Sequence, residues 1–464
     1  MVESNLQQSP PEPSRADPPI KLKHSSKPER SHKRHKRKRK DAESETETLA
    51  PKPDPNQLLS GSNRFDSFRS SSSKRPKHRR REPSGTESSR KWVYSSRDSS
   101  SYKDKVVVVS YNILGVENAL KHPDLYVKVP SKLLEWDRRK KLIRKEVDRY
   151  NASILCLQEV DRFDDLDDLF QKDGFKGVYK ARTGEAYDGC AIFWKEELFT
   201  LLHQENIEFQ SFGLRNNVAQ LCVLKMNQNH SELDANTQSA DSSIQSRRLV
   251  IGNIHVLFNP KRGDIKLGQV RMLLEKASKL SREWGCIPVV ICGDLNSIPQ
   301  SPIYEFLASS ELDIQLYDRR KISRHVSSES GGFRSQDEKA CSYWTSTSKP
   351  SYRWSEEELR LATGRRGVTH LQHNLKLCSA YIGVPSGCRT RDNYGEPLAT
   401  SYHSEFLGTV DYIWHSDELV PLRVLETLPL DILKRNGGLP SKKWGSDHLA
   451  LVCELAFTDG CDGS

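Results

Sequence analysis

The sequence has no apolar run long enough to cross a membrane and no cysteine pair at the spacing of zinc ligands. Its longest apolar runs, such as Val106–Val109, fall far short of the roughly 18 residues that a spanning helix needs. The ten cysteines are scattered, and several lie within apolar runs, where a free cysteine behaves as a small hydrophobic residue. The chain begins Met-Val-Glu-Ser, without an apolar signal segment. We therefore expect no membrane association, no secretion and a reducing compartment.

Hydrophobic residues are also scarce, at 35% of the 464 positions, which predicts that part of the chain stays unfolded. The distribution of charge indicates which part. Residues 1–103 contain 25 lysines and arginines against 13 acidic residues, a net charge of +12, whereas the remainder has 47 against 49, a net charge of −2. We predict a disordered Ser/Pro/Lys/Arg-rich tail over 1–103, one catalytic domain over 104–458 and a short tail over 459–464.

Two basic clusters lie in the predicted tail, at Lys33–Lys40 and Lys74–Arg81. Their spacing suits a nuclear import signal, and either cluster can also contact an RNA backbone. A solvated charged tail without a receptor is the simpler alternative. We expect residence in both the nucleus and the cytoplasm, because an import signal does not determine export.

The remainder of the chain alternates short β-branched runs with helical stretches, which predicts an α/β layered domain. The helical stretches are Ser131–Tyr150 and Asp264–Trp284, with Ser131 and Asp264 as the expected caps. Polar segments at about 227–246 and 318–375 interrupt this pattern and are predicted loop insertions. The predicted strands are Val106–Leu114, Ser153–Val160, Gly189–Trp194, Val218–Met226, Leu249–Leu257, Pro288–Cys292, Val410–His415 and Leu449–Leu455.

Polar residues interrupt these apolar strands, mostly at their ends. A carboxylate at the end of a buried strand costs several kcal/mol unless it is paired or bound to a cation. Singly, an asparagine can cap a turn, a glutamate can pair with a core arginine and a histidine can be a satisfied core residue. Together, an oxygen-rich set fits Mg²⁺ or Mn²⁺ better than zinc, and histidines beside aspartates add groups for phosphoester hydrolysis. The polar residues are Asn112, Glu159, Asn253, His255, Asp294, Asn296, Asp411, Asp447 and His448.

The order of these motifs resembles that of the endonuclease/exonuclease/phosphatase superfamily, and finer features resemble its deadenylase branch of carbon-catabolite-repressor-type and angel-type proteins. The resemblance covers roughly residues 105–458 and implies two packed mixed β-sheets flanked by helices, with the site at the strand ends. The motifs that carry it are Ser110–Leu114, Leu157–Val160, Asp188–Phe193, Asn253–His255, Asp264–Gln269, Gly293–Ser301, Asp411–Ile413 and Ser446–His448.

The resemblance also implies roles for the residues that bind the metal. Glu159, helped by Asn112, holds a catalytic Mg²⁺, for which Mn²⁺ is the alternative. Asp294 and Asn296 orient the attacking water and provide a possible second metal position. Asp447 supports the metal site.

Further roles implied by the resemblance concern the scissile phosphate and the RNA. His448 contacts the phosphate or acts as base, Asp411 fixes the tautomer of His448, and His255 neutralises a phosphate oxygen. Phe406 resembles the aromatic residue on which deadenylases stack a base, although a loop aromatic covering the core is an equal alternative. Asn217 matches a position near the RNA backbone.

The predicted function is a Mg²⁺-dependent 3′–5′ exoribonuclease that shortens poly(A) tails of messenger RNA and releases 5′-AMP. The leucine-rich repeats with which relatives dock a partner nuclease of the deadenylation complex are missing, so a stand-alone domain is the alternative to membership of that complex. A phosphatase acting on 2′,3′-cyclic phosphate ends or on a nucleotide is the second functional alternative. A non-catalytic RNA-bound adaptor is the third and weakest.

Overall fold

The computed structural model describes residues 89–227, 247–325, 352–387 and 389–458, all within one compact unit. Its strands are β1 (Trp92–Tyr94), β2 (Lys105–Asn112), β3 (Ile154–Gln158), β4 (Phe175–Ala181), β5 (Gly189–Lys195), β6 (Phe199–Glu208), β7 (Val218–Met226), β8 (Arg248–His255), β9 (Val289–Asp294), β10 (Glu311–Asp313), β11 (His370–Gln372), β12 (Leu377–Ser379), β13 (Ser401–His403), β14 (Phe406–Gly408), β15 (Asp411–Ser416), β16 (Leu419–Leu425) and β17 (Leu451–Phe457). Its helices are α1 (Val116–Lys121), α2 (Trp136–Tyr150), α3 (Phe163–Gln171), α4 (Gly263–Glu283), α5 (Pro302–Ser309), α6 (Glu356–Thr363) and α7 (Leu430–Arg435).

Two mixed sheets form the centre of the molecule. The first has the order β1-β16-β17-β2-β3-β5-β4, and the second has the order β12-β15-β9-β8-β7-β6. Neighbouring strands are parallel at β2–β3 and at β8–β9, and the carboxyl ends of these strands carry the polar residues singled out in the sequence. Two small hairpins, β10–β11 and β13–β14, lie outside the large sheets.

The sheets pack face to face through one apolar cluster to which both contribute, for example Val108 and Ile192 from the first and Cys222 and Ile251 from the second. Helices cover the outer faces. Helices α2 and α3 pack on the first sheet, and α4, α5 and α6 share an apolar cluster with the second. Strands buried on both faces read as continuous apolar runs, which explains the run at the start of β2. The predicted α/β sandwich is therefore confirmed.

The predicted helix starts and caps need correction. Residues Ser131–Leu133 form a separate 3-10 turn, and α2 begins only at Trp136 without a side-chain cap. Asp264 lies inside α4 instead of before it, and its carboxylate pairs with Arg262 at 2.7 Å. A capping residue and an acidic first-turn residue favour the same end of a helix, so local sequence did not separate the two.

The folded domain begins earlier than the predicted boundary at residue 103. Strand β1 pairs with β16 at the edge of the first sheet, and the Arg90 guanidinium donates to the backbone oxygens of Glu426 at 2.7 Å and Ala450 at 2.6 Å. This correction applies to residues 89–103, while the rest of the predicted tail lies outside the described residues.

Part of the predicted insertion at 318–375 is regular structure, because α6 and β11 fall within it. Residues 326–351 of that insertion, residues 228–246 of the other and the C-terminal tail 459–464 lie outside the described residues. Within the described ranges, no helix combines the length and apolar content needed to cross a bilayer.

Candidate active site

The predicted site residues of the two sheets meet where β2, β3, β8, β9 and β15 end or begin. In the second sheet, Asp294 lies opposite both His255 and Asp411 in the strand register. Across the gap between the sheets, the Asn112 side-chain nitrogen donates to Glu159 at 3.0 Å and to Asp294 at 3.1 Å. One amide group therefore joins the carboxylates of the two sheets.

Glu159 follows β3 and has a left-handed backbone conformation, with φ of 57°. In addition to the bond from Asn112, its carboxylate accepts hydrogen bonds from the Gly115 backbone and the Asn118 side chain, each at 2.9 Å. Burial alone raises the pKa of this carboxyl, but the charge of His255 and these three hydrogen bonds outweigh it and lower the pKa to about 2. Glu159 is therefore an anion at any working pH.

Asp294 and Asn296 form a turn after β9 that is tied to His255. The Asn296 backbone donates to Asp294 at 2.8 Å, and its side-chain nitrogen lies 3.1 Å from His255 Nε2. Asn296 also has a left-handed φ of 47°, which asparagine tolerates better than most residues. Burial, followed by the charge of Asp411, raises the pKa of Asp294. A cation bound beside Asp294 would stabilise the carboxylate form and so offset both causes of the raised pKa.

His448 is held by Asp411, as predicted for an oriented histidine. Its Nδ1 lies 2.8 Å from Asp411 Oδ2, and its Nε2 lies 3.9 Å from Asp294 Oδ2. Burial disfavours the charged imidazole, but Asp411, Asp447 and Asp294 together raise the pKa of His448 well above its usual value. The pair has the geometry of a histidine whose second nitrogen is presented to a substrate while the first is fixed.

Asp447 is the residue before His448, and its two carboxylate oxygens contact two different hydroxyl groups. The Tyr126 hydroxyl donates to its Oδ2 at 2.9 Å, and the Ser446 hydroxyl lies 3.3 Å from its Oδ1. Ser446 also donates to the backbone oxygen of Asn112 at 2.7 Å, so the chain before β17 is tied to the end of β2.

Three acidic and imidazole side chains of the site lie close enough together to hold a metal ion. Asp294, Asp411 and His448 offer ligand atoms that all lie within 4.8 Å of one another, and this group can hold a metal ion. Glu159 is linked to the group through the Asn112 amide. Asp411 Oδ1 is buried without a hydrogen-bond partner in the described structure. Oxygen donors that are buried, anionic and incompletely satisfied fit a hard divalent cation.

The two predicted RNA contacts have different positions. Phe406 is half-buried and its ring centre lies 4.5 Å from that of His325 and 6.0 Å from that of His403. Its hairpin, β13–β14, is bridged to the site because Ser401 pairs with His448. Phe406 can therefore offer a ring surface beside the site.

Asn217, by contrast, is buried, with only 2% of its surface exposed. Its side-chain nitrogen donates to the backbone oxygen of His255 at 3.0 Å, and its side-chain oxygen accepts from Gln269 at 3.2 Å. Both ends of the amide are used within the protein, so the structure gives Asn217 the role of positioning His255. A position near the RNA backbone stays a prediction, and with this burial Asn217 would act on RNA through His255.

Residues on neighbouring elements also support the site, and none of them is among the site residues predicted from the sequence. Asn118 and Tyr126, described above, contact Glu159 and Asp447. Lys266 is fully buried in α4 and donates to the backbone oxygen of Asn296 at 2.6 Å, and burial lowers its pKa to about 7. His325 lies against Phe406, and burial lowers its pKa to about 3. A lysine within the apolar spacing of α4 was the one sequence signal among these, because a buried lysine needs a reason.

This fold and this constellation of carboxylates, amides and histidines define a phosphoester hydrolase of the kind that uses a divalent metal. The chain belongs to the endonuclease/exonuclease/phosphatase family, whose sequence model matches residues 109–448. Its similarity extends to particular relatives within that family.

The chain is 62% identical to carbon catabolite repressor protein 4 homolog 5 of Arabidopsis thaliana over 392 residues, which are 84% of this chain and 86% of that protein. It is 46% identical to homolog 3 of the same plant over 391 residues, 82% of this chain and 83% of that protein. Among solved structures, it is similar to the crystal structure of ANGEL2, a 2′,3′-cyclic phosphatase, in complex with adenosine-2′,3′-vanadate. The TM-score is 0.62 at 29% identity, and the match covers 80% of this chain and 99% of that chain.

Proposed function

We propose that the chain is a Mg²⁺-dependent 3′–5′ exoribonuclease that shortens the poly(A) tails of messenger RNA and releases 5′-AMP. The observation that carries the proposal is the cluster of Asp294, Asp411 and His448, beside which Phe406 offers an aromatic surface. Aromatic stacking of a base is worth about 1–3 kcal/mol. A ring at this place favours a nucleotide as substrate.

The protein groups divide the work of hydrolysis. Asp294 and Asn296 orient a water molecule for attack on the terminal phosphodiester, and Asp411 keeps His448 Nε2 directed at the phosphate. His255, held by Asn217 and Asn296, stands where it can neutralise a phosphate oxygen. Glu159 and Asp294 would hold a divalent metal, which when bound supplies the positive charge that stabilises the transition state.

A second candidate is hydrolysis of a 2′,3′-cyclic phosphate at an RNA end. The similarity to ANGEL2 favours it, because that protein is a 2′,3′-cyclic phosphatase and the match covers nearly its whole chain. The same site groups serve both reactions, since each requires a water molecule aligned with a phosphorus atom and neutralised phosphate oxygens.

One experiment distinguishes the two activities. The full chain is incubated with 5′-labelled RNA that ends in about twenty adenosines, and with the same RNA ending in a 2′,3′-cyclic phosphate, with Mg²⁺, with Mn²⁺ or with EDTA. A ladder of shortened products from the hydroxyl-ended RNA supports the exoribonuclease. Loss of the cyclic end without shortening supports the phosphatase. No reaction on either RNA contradicts both.

Glu159→Ala is the inactive variant for this experiment. It removes a carboxylate that accepts three hydrogen bonds and that the Asn112 amide joins to Asp294. We expect turnover to fall roughly a thousandfold, which corresponds to several kcal/mol of lost metal stabilisation. Glu196→Ala is the matched control, because the Glu196 side chain is 59% exposed. Near-normal activity of Glu159→Ala, with the circular dichroism spectrum unchanged, contradicts the metal assignment.

We further propose that the protein acts in both nucleus and cytoplasm. We propose that it works on poly(A) RNA, with docking of a partner nuclease and action as a stand-alone domain as the two alternatives. Cell fractionation, together with co-purification using a tagged full chain, tests these two points.

A further inference from the structure

A tyrosine and a lysine line a cavity that the proposed chemistry does not use. Tyr187 is 60% exposed, and Lys121 Nζ lies 4.4 Å from the centre of its ring. The two side chains line a cavity of about 510 Å³ together with Gly184, Glu185 and Ala186. Single exposed aromatic residues are common on protein surfaces, so the position of this pair decides whether it has a role.

Lys121 lies on helix α1, whose first turn and preceding residue bond to Glu159. Helix α1 follows Gly115, and both Gly115 and Asn118 donate to the Glu159 carboxylate at 2.9 Å. Lys121 is the last residue of α1, three positions after Asn118. At about 1.5 Å of rise per residue, it lies only about one helical turn further along the helix.

The tyrosine side is attached to the same place through the turn between β4 and β5. Gly189, the first residue of β5, accepts a hydrogen bond from the backbone of Val160, next to Glu159, at 3.0 Å. Asp188 is buried, and its pKa is raised. Burial is the largest cause, the charge of Arg182 acts against it, and the charge of Glu159 adds to it. Tyr187 is the residue before Asp188. The α1 wall of the cavity is therefore connected to the Glu159 carboxylate, and the Tyr187 wall is connected to the backbone of the neighbouring residue, Val160.

We propose that Tyr187 and Lys121 form a subsite for a nucleotide of the RNA strand on the 5′ side of the scissile phosphodiester. This inference rests on the proposed hydrolysis of RNA and extends it to the strand that leads into the site. The exposed ring stacks on a base, and the ammonium group contacts a phosphate. Since every base has a π-face, the subsite increases affinity for the strand without selecting adenine. The Glu185 carboxylate also lines the cavity and repels a phosphate there, so the phosphate contact depends on Lys121.

The test uses the full chain and four variants: Tyr187→Ala, Tyr187→Phe, Lys121→Gln and Tyr94→Ala. Tyr94 is a matched control, because it is 61% exposed and the Arg423 guanidinium lies 5.8 Å from its ring. It lies on β1, whereas the Tyr187 turn follows β4, and these are the opposite edges of the first sheet. Values of kcat and KM are measured on 5′-labelled adenosine oligomers from a dinucleotide to about ten nucleotides.

We expect Tyr187→Ala to raise KM for the longest oligomer roughly tenfold, as expected for one lost stacked base, with kcat and the dinucleotide KM unchanged. Tyr187→Phe and Tyr94→Ala should behave as the wild type. Lys121→Gln should reduce the slope of log affinity against log salt by about 0.7, the value for one phosphate of a single strand. The subsite is overturned if Tyr187→Ala and the wild type have the same KM for the longest oligomer. It is also overturned if Tyr187→Ala raises KM for the dinucleotide as much as for the longest oligomer.

Binding of the labelled long oligomer in EDTA, measured by fluorescence anisotropy, separates failure of the subsite from failure of the proposed function. A wild type that binds the oligomer but never shortens it contradicts the exoribonuclease and leaves the comparison of affinities valid. Equal affinity of the wild type and Tyr187→Ala in this assay contradicts the subsite, whatever the reaction is. A tenfold weaker affinity of Tyr187→Ala supports it.

Discussion

At the scale of single residues, the contact between Asp411 and His448 defines the chemistry of the site. The 2.8 Å contact fixes which imidazole nitrogen faces Asp411, leaves the other for the phosphate of the proposed reaction, and favours the charged ring. Without the carboxylate, the histidine loses both its orientation and its electrostatic support.

We expect Asp411→Asn to lower kcat by about a hundred- to ten-thousandfold, the range for a misplaced acid–base group. KM should change little, because the proposed RNA contacts lie elsewhere. Single-turnover kinetics on adenosine-tailed RNA measure this. The control is Asp417→Asn, an exposed carboxylate just beyond the other end of β15. A kcat within about threefold of the wild type shows that Asp411 does not position the reacting histidine.

A second residue, Glu396, makes stability depend on pH away from the reaction. Its carboxyl is 1% exposed and accepts from the Tyr304 hydroxyl at 2.8 Å. Burial raises its pKa to about 7, whereas an unfolded chain has a glutamate pKa of about 4.3. Between these values the folded state keeps a proton that the unfolded state has lost. Stability therefore falls as pH rises through this window, by up to about 1.4 kcal/mol per pH unit.

The Glu396→Gln side chain cannot ionise. We therefore expect the stability of this variant minus that of the wild type to be larger at pH 8 than at pH 5. Thermal unfolding at both pH values measures the difference. Glu357→Gln, on an exposed face of α6, serves as control, because the Glu357 pKa is lowered by the hydrogen bond from Arg360 and does not titrate in this window. An equal stability difference between Glu396→Gln and the wild type at the two pH values rules out this account.

At the scale of elements, the packing of α4 against α6 supports the site from behind. Helix α4 carries Lys266, which holds the backbone of Asn296, and Gln269, which holds Asn217. The close approach of the helices depends on Gly268, where an added Cβ atom comes within 2.3 Å of the backbone oxygen of Leu361. Backbone contacts of this kind do not relax through a side-chain rotation.

We expect Gly268→Ala to destabilise the domain by about 1–3 kcal/mol, the usual cost of overpacking. Urea denaturation measures the change in the free energy of unfolding. Gly387→Ala is the control, since a Cβ atom at Gly387 meets nothing within 4 Å. If both variants unfold at the same urea concentration, α6 has room to move away and the helix contact is not tight.

At the scale of the whole molecule, most of the excess positive charge precedes the folded domain in the sequence. The excess positive charge lies in residues 1–103, yet Arg90 and β1 of that range belong to the folded domain. Deletions on either side of residue 89 therefore have different consequences.

We expect removal of residues 1–88 to leave kcat on short RNA unchanged. It should lower the affinity for RNA and reduce the slope of log affinity against log salt, because lysines and arginines available to RNA phosphates are lost. Removal of residues 1–100 also deletes the edge strand and the Arg90 hydrogen bonds, so the thermal midpoint should fall by several degrees. Calorimetry and binding titrations measure these effects. Equal thermal midpoints for the two truncations contradict a structural role for β1.

The sequence by itself predicted an α/β layered domain, because strands buried on both faces must be apolar, and its resemblance to the family implied the two-sheet sandwich and the candidate site residues. Against that background, residues such as Glu159, Asp294 and His448 stand out without any coordinates. The strand registers and the contact between the two sheets were decided only by tertiary structure. Asn118, Tyr126 and the Lys121–Tyr187 pair lie on short turns and helices whose local patterns resemble ordinary surface chain. Only folding brings Asn118 and Tyr126 to the carboxylates and Lys121 to Tyr187. Asn217 shows the same limit. Its motif indicated a position near the RNA backbone, but in the fold its side chain is buried and bonds to the backbone of His255.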